Sequence, residues 1–560
     1  MRKKEKITGD RQWYKYWPKH LPKTLDYPET PMFEVVETSA RRYPEKPAII
    51  YYGKIITYRE LWESILSFAG YLNMIGIKKG DRVAIFLPNS PQFVIAYYGI
   101  MRANAIVVAL DPMLSAEGIK ELLNDSQSKA IVTMATSLSI INKIKNDTSL
   151  KKIIASEFAD YIPSEPELPV PVPMLQKIGI GEEALSWKEV IGEKLDPPPI
   201  EVRYDDPSLI MYTSGTTGER KGALHTHWSM IVNSLRANYW LYNVPSTVHL
   251  AILPFFHVTG MHFCMTAPLY SGATLVILSR WDRETAIQAV EKYRCTHWTN
   301  ITTMVVDMLS APDIDSRDLS SFLVFGGGGS PVPKAIGEKL ASMGIYYMEG
   351  YGLTEAGSGT HCNPLDRVKM QCLGIPIFDI DTKIIDPISG DELTPGNDGE
   401  LVMISPSIFR EFWNKPEETK KAFIEIDGEK WFRTGDLAHM DEDGYFFMVD
   451  RIKRLINRAG LKVWPAAIEG EYYKHPAIKE VCIIGTPDDR VGEEVKVYIV
   501  LKEGYEGKIT EDEIKIWAKK RFAAYEYPRV VEFIKELPKS ATGKILWRVL
   551  QAKEFVGKRS

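Results

Sequence analysis

The 560-residue chain is poor in cysteine: it carries 5, at Cys264, Cys295, Cys362, Cys372 and Cys482, and no two stand at CxxC spacing. An odd count cannot close into a complete disulfide set, and scattered thiols without clustered histidines do not build a zinc site, so reduced, buried thiols are expected. Cys362 follows His361, but neighbours on an extended segment point to opposite faces. Charge of one sign is also lacking. Lys and Arg total 69 against 73 Asp and Glu, a net charge of -4. Such a balance offers no global attraction for nucleic acid or an anionic membrane, although a local basic patch stays open. Long hydrophobic runs are absent too. The most apolar stretch, 250–270, is broken by Pro254, His257, His262 and Pro268, which makes a poor membrane span. The basic start, Met1 to Lys6, leads into no apolar segment of the kind a secretory signal needs. A cytoplasmic protein with no membrane span and no nucleic-acid partner is expected.

What the chain does have is the composition of a soluble globular protein, 45% hydrophobic and 25% charged, at a length that calls for two or more domains. In the first half, strands and helices alternate. Lys46 to Ile50 runs through a turn at Gly53 to a second strand at 55–57, and Thr57 then precedes a helix with Leu61, Ile65, Phe68 and Leu72 at helical spacing. The fully apolar runs Val83–Leu87 and Ala105–Leu110 suit parallel strands covered on both faces. Residues 155–199, rich in Pro and Glu, read as a surface excursion. From Asp379 to Phe447 short strands alternate with glycine turns, and a compact α+β pattern follows the basic stretch Asp450–Arg454. The fold class expected is α/β: a large N-terminal domain of several subdomains with mixed and parallel sheets, residues 1–452, and a small α+β C-terminal domain, residues 453–560.

The strand Leu209–Tyr212 runs directly into Thr213-Ser214-Gly215-Thr216-Thr217-Gly218-Glu219-Arg220-Lys221-Gly222. Glycines let backbone N–H groups turn toward an anion, hydroxyls add donors and Lys221 adds charge, which is a phosphate-binding composition. It is neither a Walker A loop, since Gly222 stands where Ser or Thr is required, nor a GxGxxG dinucleotide fingerprint. Read by itself, a flexible polar loop would account for part of this string.

The run Tyr212–Gly222 resembles the signature loop of the adenylate-forming superfamily, which comprises acyl-CoA synthetases, adenylation domains of nonribosomal peptide synthetases and firefly luciferase; Arg220 stands where the family usually has Pro. Further segments resemble the family's other motifs in the same order: Leu253–Gly260, the strand and glycine run Phe322–Pro331, Gly350–Glu355, Trp431–Leu437, Asp450–Arg451 with Gly460, and Pro538–Lys544. The resemblance covers nearly the whole chain. It implies that ATP and a carboxylic acid form an acyl-adenylate and pyrophosphate, and that the acyl group then passes to the thiol of CoA. A carboxylate is a poor electrophile, and attack on the α-phosphate builds dense negative charge, so cations and oriented donors are required. The resemblance assigns Lys544 to the α-phosphate and the substrate carboxylate, Thr354 to the α-phosphate, and Glu355 to Mg²⁺, a cation that takes few carboxylates. It assigns Thr213, Ser214, Gly215, Thr216, Thr217, Gly218 and Lys221 to the triphosphate. Gly328, Gly329, Ser330, Gly350 and Tyr351 fall to the adenine, and Asp436 with Arg451 to the ribose. Lys453 is implied as the pivot of a C-terminal domain that rotates between half-reactions, and Gly460 as the lining of a passage for the pantetheine arm.

For the acid, His257 resembles the residue at the mouth of the family's acyl pocket, with a satisfied core histidine as the alternative; Met261 reads as apolar pocket lining or equally as a core methionine. Acetate-specific members carry Trp where this chain has Gly352, so the resemblance implies a longer acid, medium- or long-chain. A short hydroxylated acid, an aryl acid, a stand-alone adenylation module serving a carrier protein, and a non-enzymatic nucleotide sensor stay open. Against the module, no carrier domain follows Leu550; against the sensor, Glu355 and Lys544 are both present. A homodimer is a further open reading.

Overall fold

A computed structural model of the chain describes residues 11–213, 220–329, 332–459, 461–539 and 545–556. The chain forms two compact units, one of residues 1–381 with 404–425, the other of 382–403 with 426–560.

In the first unit the strand–helix rhythm is set by caps that the sequence spells out. Thr57 and Glu60 form a reciprocal capping box at the start of helix Tyr58–Met74, satisfying two N–H groups that a helix end leaves orphaned. Ser90 caps helix Pro91–Arg102, whose first residue is a proline that has no N–H to lose. Two large sheets result. One has nine strands, six of them a parallel block that runs from Tyr347–Leu353 through Val324–Gly328, His297–Asn300, Val248–Ala251 and Thr274–Ile277 to Pro47–Tyr51. The other has eight strands, with Pro207–Thr213 parallel to Ile106–Ala109 on one side and antiparallel to Lys221–Thr226 on the other. All four residues of Ile106–Ala109 are buried, as a strand covered on both faces requires.

Residues 155–199 lie largely at the surface, as their composition leads one to expect, but the segment is pinned to the core by a few side chains. Trp187 is 1% exposed and lies 5.2 Å from Phe68, Leu168 and Met174 are buried, and Glu167 N–H donates to the Tyr52 carbonyl. The large apolar residues that pin this segment are too sparse and irregular to give a periodic signal.

Arg236, fully buried on helix His227–Trp240, ties together the points where the chain leaves and re-enters this unit. Its guanidinium donates to the Asp379 carbonyl at 3.0 Å, to Ser405 Oγ at 2.9 Å and to Ser407 Oγ at 3.0 Å, and to the Tyr27 hydroxyl at 3.2 Å. Planar, five-donor geometry suits one side chain to this many acceptors.

The second unit holds strands Asp381–Ile385, Gly399–Ile404, Glu429–Met440 and Phe446–Arg451 in one sheet and Ile456–Arg458, Leu461–Val463, Ile478–Asp488, Gly492–Leu501 and Val530–Phe533 in another. Lys453 sits inside this unit, in the single 3₁₀ turn Ile452–Arg454 that joins the two sheets. The segments on either side are laced together: the Asp450 carboxylate accepts from Ala466 N–H at 2.8 Å, and Arg454 forks onto Glu469 at 2.6 and 3.1 Å. Burial raises the Asp450 carboxyl, against the pull of Arg454 and of the Ala466 and Arg451 N–H donors. All five cysteines are free thiols, and the four thiols of Cys264, Cys295, Cys372 and Cys482 belong to buried residues. Among the described residues no helix is long and apolar enough to cross a membrane.

Candidate functional site

The strands that flank the glycine-rich run form an antiparallel pair. Its arms pair Tyr212 with Gly222 and Thr213 with Lys221; Ser214, Gly215, Thr216, Thr217 and Gly218 lie outside the described residues. The arms are fixed from several sides. Tyr212 donates its hydroxyl to Asp125, and burial with that carboxylate pushes the phenol well above its ordinary range. Gly222 leaves no space for a side chain, because a Cβ would come 2.8 Å from Ile210 Cγ2. Trp413 N–H donates to the Gly222 carbonyl at 2.7 Å. Lys221, 13% exposed at the hairpin's mouth, forms an ion pair with Glu418 and lies 5.3 Å from the centre of the Phe412 ring.

Thr354 and Glu355 stand in a 3₁₀ turn, Thr354–Ala356, at the C-terminal end of strand Tyr347–Leu353. Each of the turn's three carbonyls accepts a hydrogen bond from a different element. His225 Nε2 donates to the Thr354 oxygen at 2.9 Å, Phe409 N–H to the Glu355 oxygen at 2.7 Å, and Asn233 Nδ2 to the Ala356 oxygen at 3.1 Å. Since a carbonyl only accepts, His225 carries its proton on Nε2, and Nδ1 faces the Ser229 hydroxyl at 3.4 Å. Complete burial pulls the His225 imidazole down to about 4, so it is neutral near pH 7. His225 belongs to strand Lys221–Thr226, the second arm of the hairpin. One short strand thus carries Lys221 at one end and, four residues on, the tether of the Glu355 turn.

The glycines expected at the adenine lie on two adjacent parallel strands, with Gly328 opposite Gly350. A Cβ on Gly328 would meet the Gly350 carbonyl at 2.3 Å, and one on neighbouring Gly327 the Asn300 carbonyl at 1.8 Å. Gly329, at φ +92° with open space around it, turns the chain off the strand end. Ser330 lies outside the described residues. Tyr351 meets His361 edge to face, with centroids 5.7 Å apart. Glu349, buried one turn of the pleat earlier, accepts from Val332 N–H at 2.9 Å and from Gln371 N–H, bracing the loops beside the strand; its own burial raises its carboxyl. These groups gather at the C-terminal ends of parallel strands, where open α/β sheets bind ligands.

Gly352 has a structural reason of its own. It sits at a register shift between Tyr347–Leu353 and Ser358–Cys362, and a Cβ there would lie 2.2 Å from the Ser358 carbonyl. His257 caps a short helical turn, Val258–Met261, through Nδ1 and Thr259 N–H at 3.4 Å. Met261 is fully buried in the main core, and a π-helical turn, His262–Thr266, follows, a feature often found near functional sites.

In the second unit, Asp436 and Arg451 face each other across paired strands, with Nε 3.0 Å from Oδ1. Asp436, 2% exposed, has its N–H bonded to the Thr434 hydroxyl at 3.0 Å. Lys453 is exposed on the turn described above. Gly460 and Lys544 lie outside the described residues.

Glu355 is the one carboxylate of its turn, and among the described residues no group of three or more His, Cys, Asp or Glu side chains gathers as a metal cage. That donor set fits a hard cation held mainly by phosphate oxygens and water. Sequence reasoning missed His225, Asn233, Glu349 and Glu418. None carries a motif, and a histidine on the buried side of a strand reads like any core histidine.

Comparison with known proteins shows the family. The AMP-binding enzyme family matches residues 36–413, and the AMP-binding enzyme C-terminal domain matches residues 467–544. The chain belongs to the AMP-binding enzymes, and within them to the AMP-forming acid–CoA ligases. It is 34% identical to a long-chain-fatty-acid–CoA ligase of Bacillus subtilis over 98% of this chain and 99% of that one. It is 31% identical to a ligase of the same name from Escherichia coli O157:H7 over 96% and 97%. The solved structure of ATP-bound MatB from Rhodopseudomonas palustris shares the fold at a TM-score of 0.82 and 24% identity, over 94% of this chain and 99% of that one.

Proposed function

We propose that the chain activates a medium- or long-chain fatty acid. Attack of the acid's carboxylate on the α-phosphate of ATP gives an acyl-adenylate and pyrophosphate, and the CoA thiol then displaces AMP. The observation that carries this reading is the coupling of Lys221 to the Thr354–Glu355 turn through one strand and His225: groups suited to the leaving pyrophosphate and to the reacting phosphate are held on one rigid support. The names of the relatives supply the acid class.

In this reading the hairpin and Lys221 grip the β- and γ-phosphates, and the Thr354 hydroxyl donates to the α-phosphate. Tyr351 stacks on the adenine, against which Gly328, Gly329, Ser330 and Gly350 let the backbone close, while Asp436 accepts from the ribose hydroxyls and Arg451 donates there. Glu355 would hold Mg²⁺, which when bound neutralises phosphate charge. Lys544 neutralises the reacting carboxylate and phosphate. Residues 453–560 act as the moving part, pivoting at Lys453, and Gly460 keeps the thiol's passage open. His257 and Met261 border the acyl chain.

The test is a panel of acids from acetate to palmitate, with an aryl acid, given with ATP and Mg²⁺, with and without CoA. Pyrophosphate release that peaks at medium or long chains, with thioester only when CoA is present, supports the reading. Adenylate without thioester, or a peak at acetate or at the aryl acid, refutes it.

A further inference from the structure

Lys221 opens the strand that follows the glycine-rich run, and its charge is met within the chain. Its ammonium pairs with the Glu418 carboxylate, from the short helix Pro416–Lys421, over the face of Phe412. The two elements are held in place independently of that pair. Phe412 pairs with Ala223 in an antiparallel strand, Phe412 N–H donates to the Thr419 hydroxyl at 2.9 Å, and that hydroxyl donates to the Lys415 carbonyl at 2.9 Å. Glu418 also has a second cation. Its other oxygen, Oε1, lies 3.0 Å from Lys421 Nζ, three residues on along the same helix. The two lysines, Lys221 first, hold the Glu418 carboxyl down to about 2, so it is ionised at every working pH. Lys221 is 13% exposed, whereas Lys421 is 71% exposed. The carboxylate therefore bridges a recessed lysine of the site and a solvated lysine outside it.

We propose that Glu418 is a positioning residue that stands in for phosphate: it keeps Lys221 folded over the hairpin mouth until ATP arrives, then yields Lys221 to the triphosphate and stays on Lys421. The inference rests on the reading of Lys221 as a phosphate-binding group. A recessed ammonium without a counter-ion would be costly to hold and free to fold away from the site, so an internal carboxylate keeps it placed. The same carboxylate competes with the ligand, and its attachment to Lys421 lowers the cost of letting go. Glu418 thus sets ATP affinity and leaves the chemical step alone.

The experiment measures ATP binding in the absence of acid, by titration calorimetry, and KM for ATP with kcat from pyrophosphate release, for the full-length parent, Glu418→Gln and Lys221→Met. A merely structural role for Glu418 would weaken binding or lower stability in Glu418→Gln; removing a competitor tightens binding. The expected result is about two- to five-fold tighter ATP binding in Glu418→Gln with an equal fall in KM and kcat unchanged within error, as the loss of one partly solvated ion pair predicts, and weaker binding in Lys221→Met. Weaker binding in Lys221→Met with unchanged or weaker binding in Glu418→Gln overturns the proposal and leaves the reading of the phosphate hairpin standing. Unchanged binding in Lys221→Met overturns both.

Discussion

His225 offers a test in which stability and activity part company. Replacing it with Leu removes the Nε2–H donor at similar bulk. The Thr354 carbonyl keeps a second donor, Gly357 N–H at 2.9 Å, so no buried oxygen is orphaned, and Ser229 keeps its bond to the Thr226 carbonyl at 3.0 Å. The stability cost is therefore that of one neutral buried hydrogen bond, about 1 kcal/mol. The effect on chemistry is larger. The Thr354–Ala356 turn loses one of three carbonyl tethers, and that one joins it to the strand carrying Lys221. A displacement of about 1 Å at a reacting centre costs about a hundred-fold in rate, or about 2.7 kcal/mol in the barrier.

The assay measures pyrophosphate release for the first half-reaction, thioester formation from preformed acyl-adenylate for the second, and urea unfolding on the same preparations. His225→Leu is expected to slow adenylation about ten- to a hundred-fold while the unfolding midpoint shifts only modestly. The second half-reaction, which no longer needs the triphosphate geometry, should lose much less. His225→Gln, whose amide can donate to the same carbonyl, should recover most of the adenylation rate. Adenylation within about two-fold of the parent in His225→Leu would refute the coupling and make His225 an ordinary core histidine.

Three further outcomes follow from the same geometry. Lys453→Pro, in the 3₁₀ turn Ile452–Arg454, should leave pyrophosphate release intact and abolish thioester formation; equal loss of both counts against a pivot there. Burial holds His225 and His297 down to about 4, and His227, His262 and His361 to about 3, against 6.5 when unfolded. Below pH 6.5 the unfolded chain binds more protons than the native one, so the stability these groups contribute is full above 6.5 and lost as pH falls toward 4, at up to about 1.4 kcal/mol per pH unit for each; a melting temperature unchanged between pH 7.5 and 5 would contradict this. Gly352→Ala should lower stability and reduce activity on all acids alike, because its Cβ meets the Ser358 carbonyl before it reaches any ligand; a selective loss of the longest acids with stability intact would restore Gly352 to the acyl pocket.

The α/β class and the rhythm of the first unit were legible because local signals agree: the Thr57 capping box, the Ser90 cap before Pro91, and apolar runs such as Ile106–Ala109 are short-range statements about short-range structure. The 155–199 segment lies largely at the surface, as its composition suggests, but its buried anchors Trp187, Leu168 and Met174 were not legible, since they follow no period and Trp187 packs on the distant Phe68. The site divides the same way. Residues in glycine-rich strings declared themselves, since close backbone approach at Gly328 and Gly350 or a turn at Gly329 leaves a compositional mark. His225, Asn233 and Glu418 left none, because the bond that ties each to the site reaches a residue between 123 and 197 positions away. Gly352 shows the opposite hazard. A glycine in a motif invites a functional explanation for its missing side chain, yet here the hairpin bulge already forbids one. A motif therefore points to candidate groups for a site, while the tethers that fix their positions can be found only where the chain has brought distant elements together.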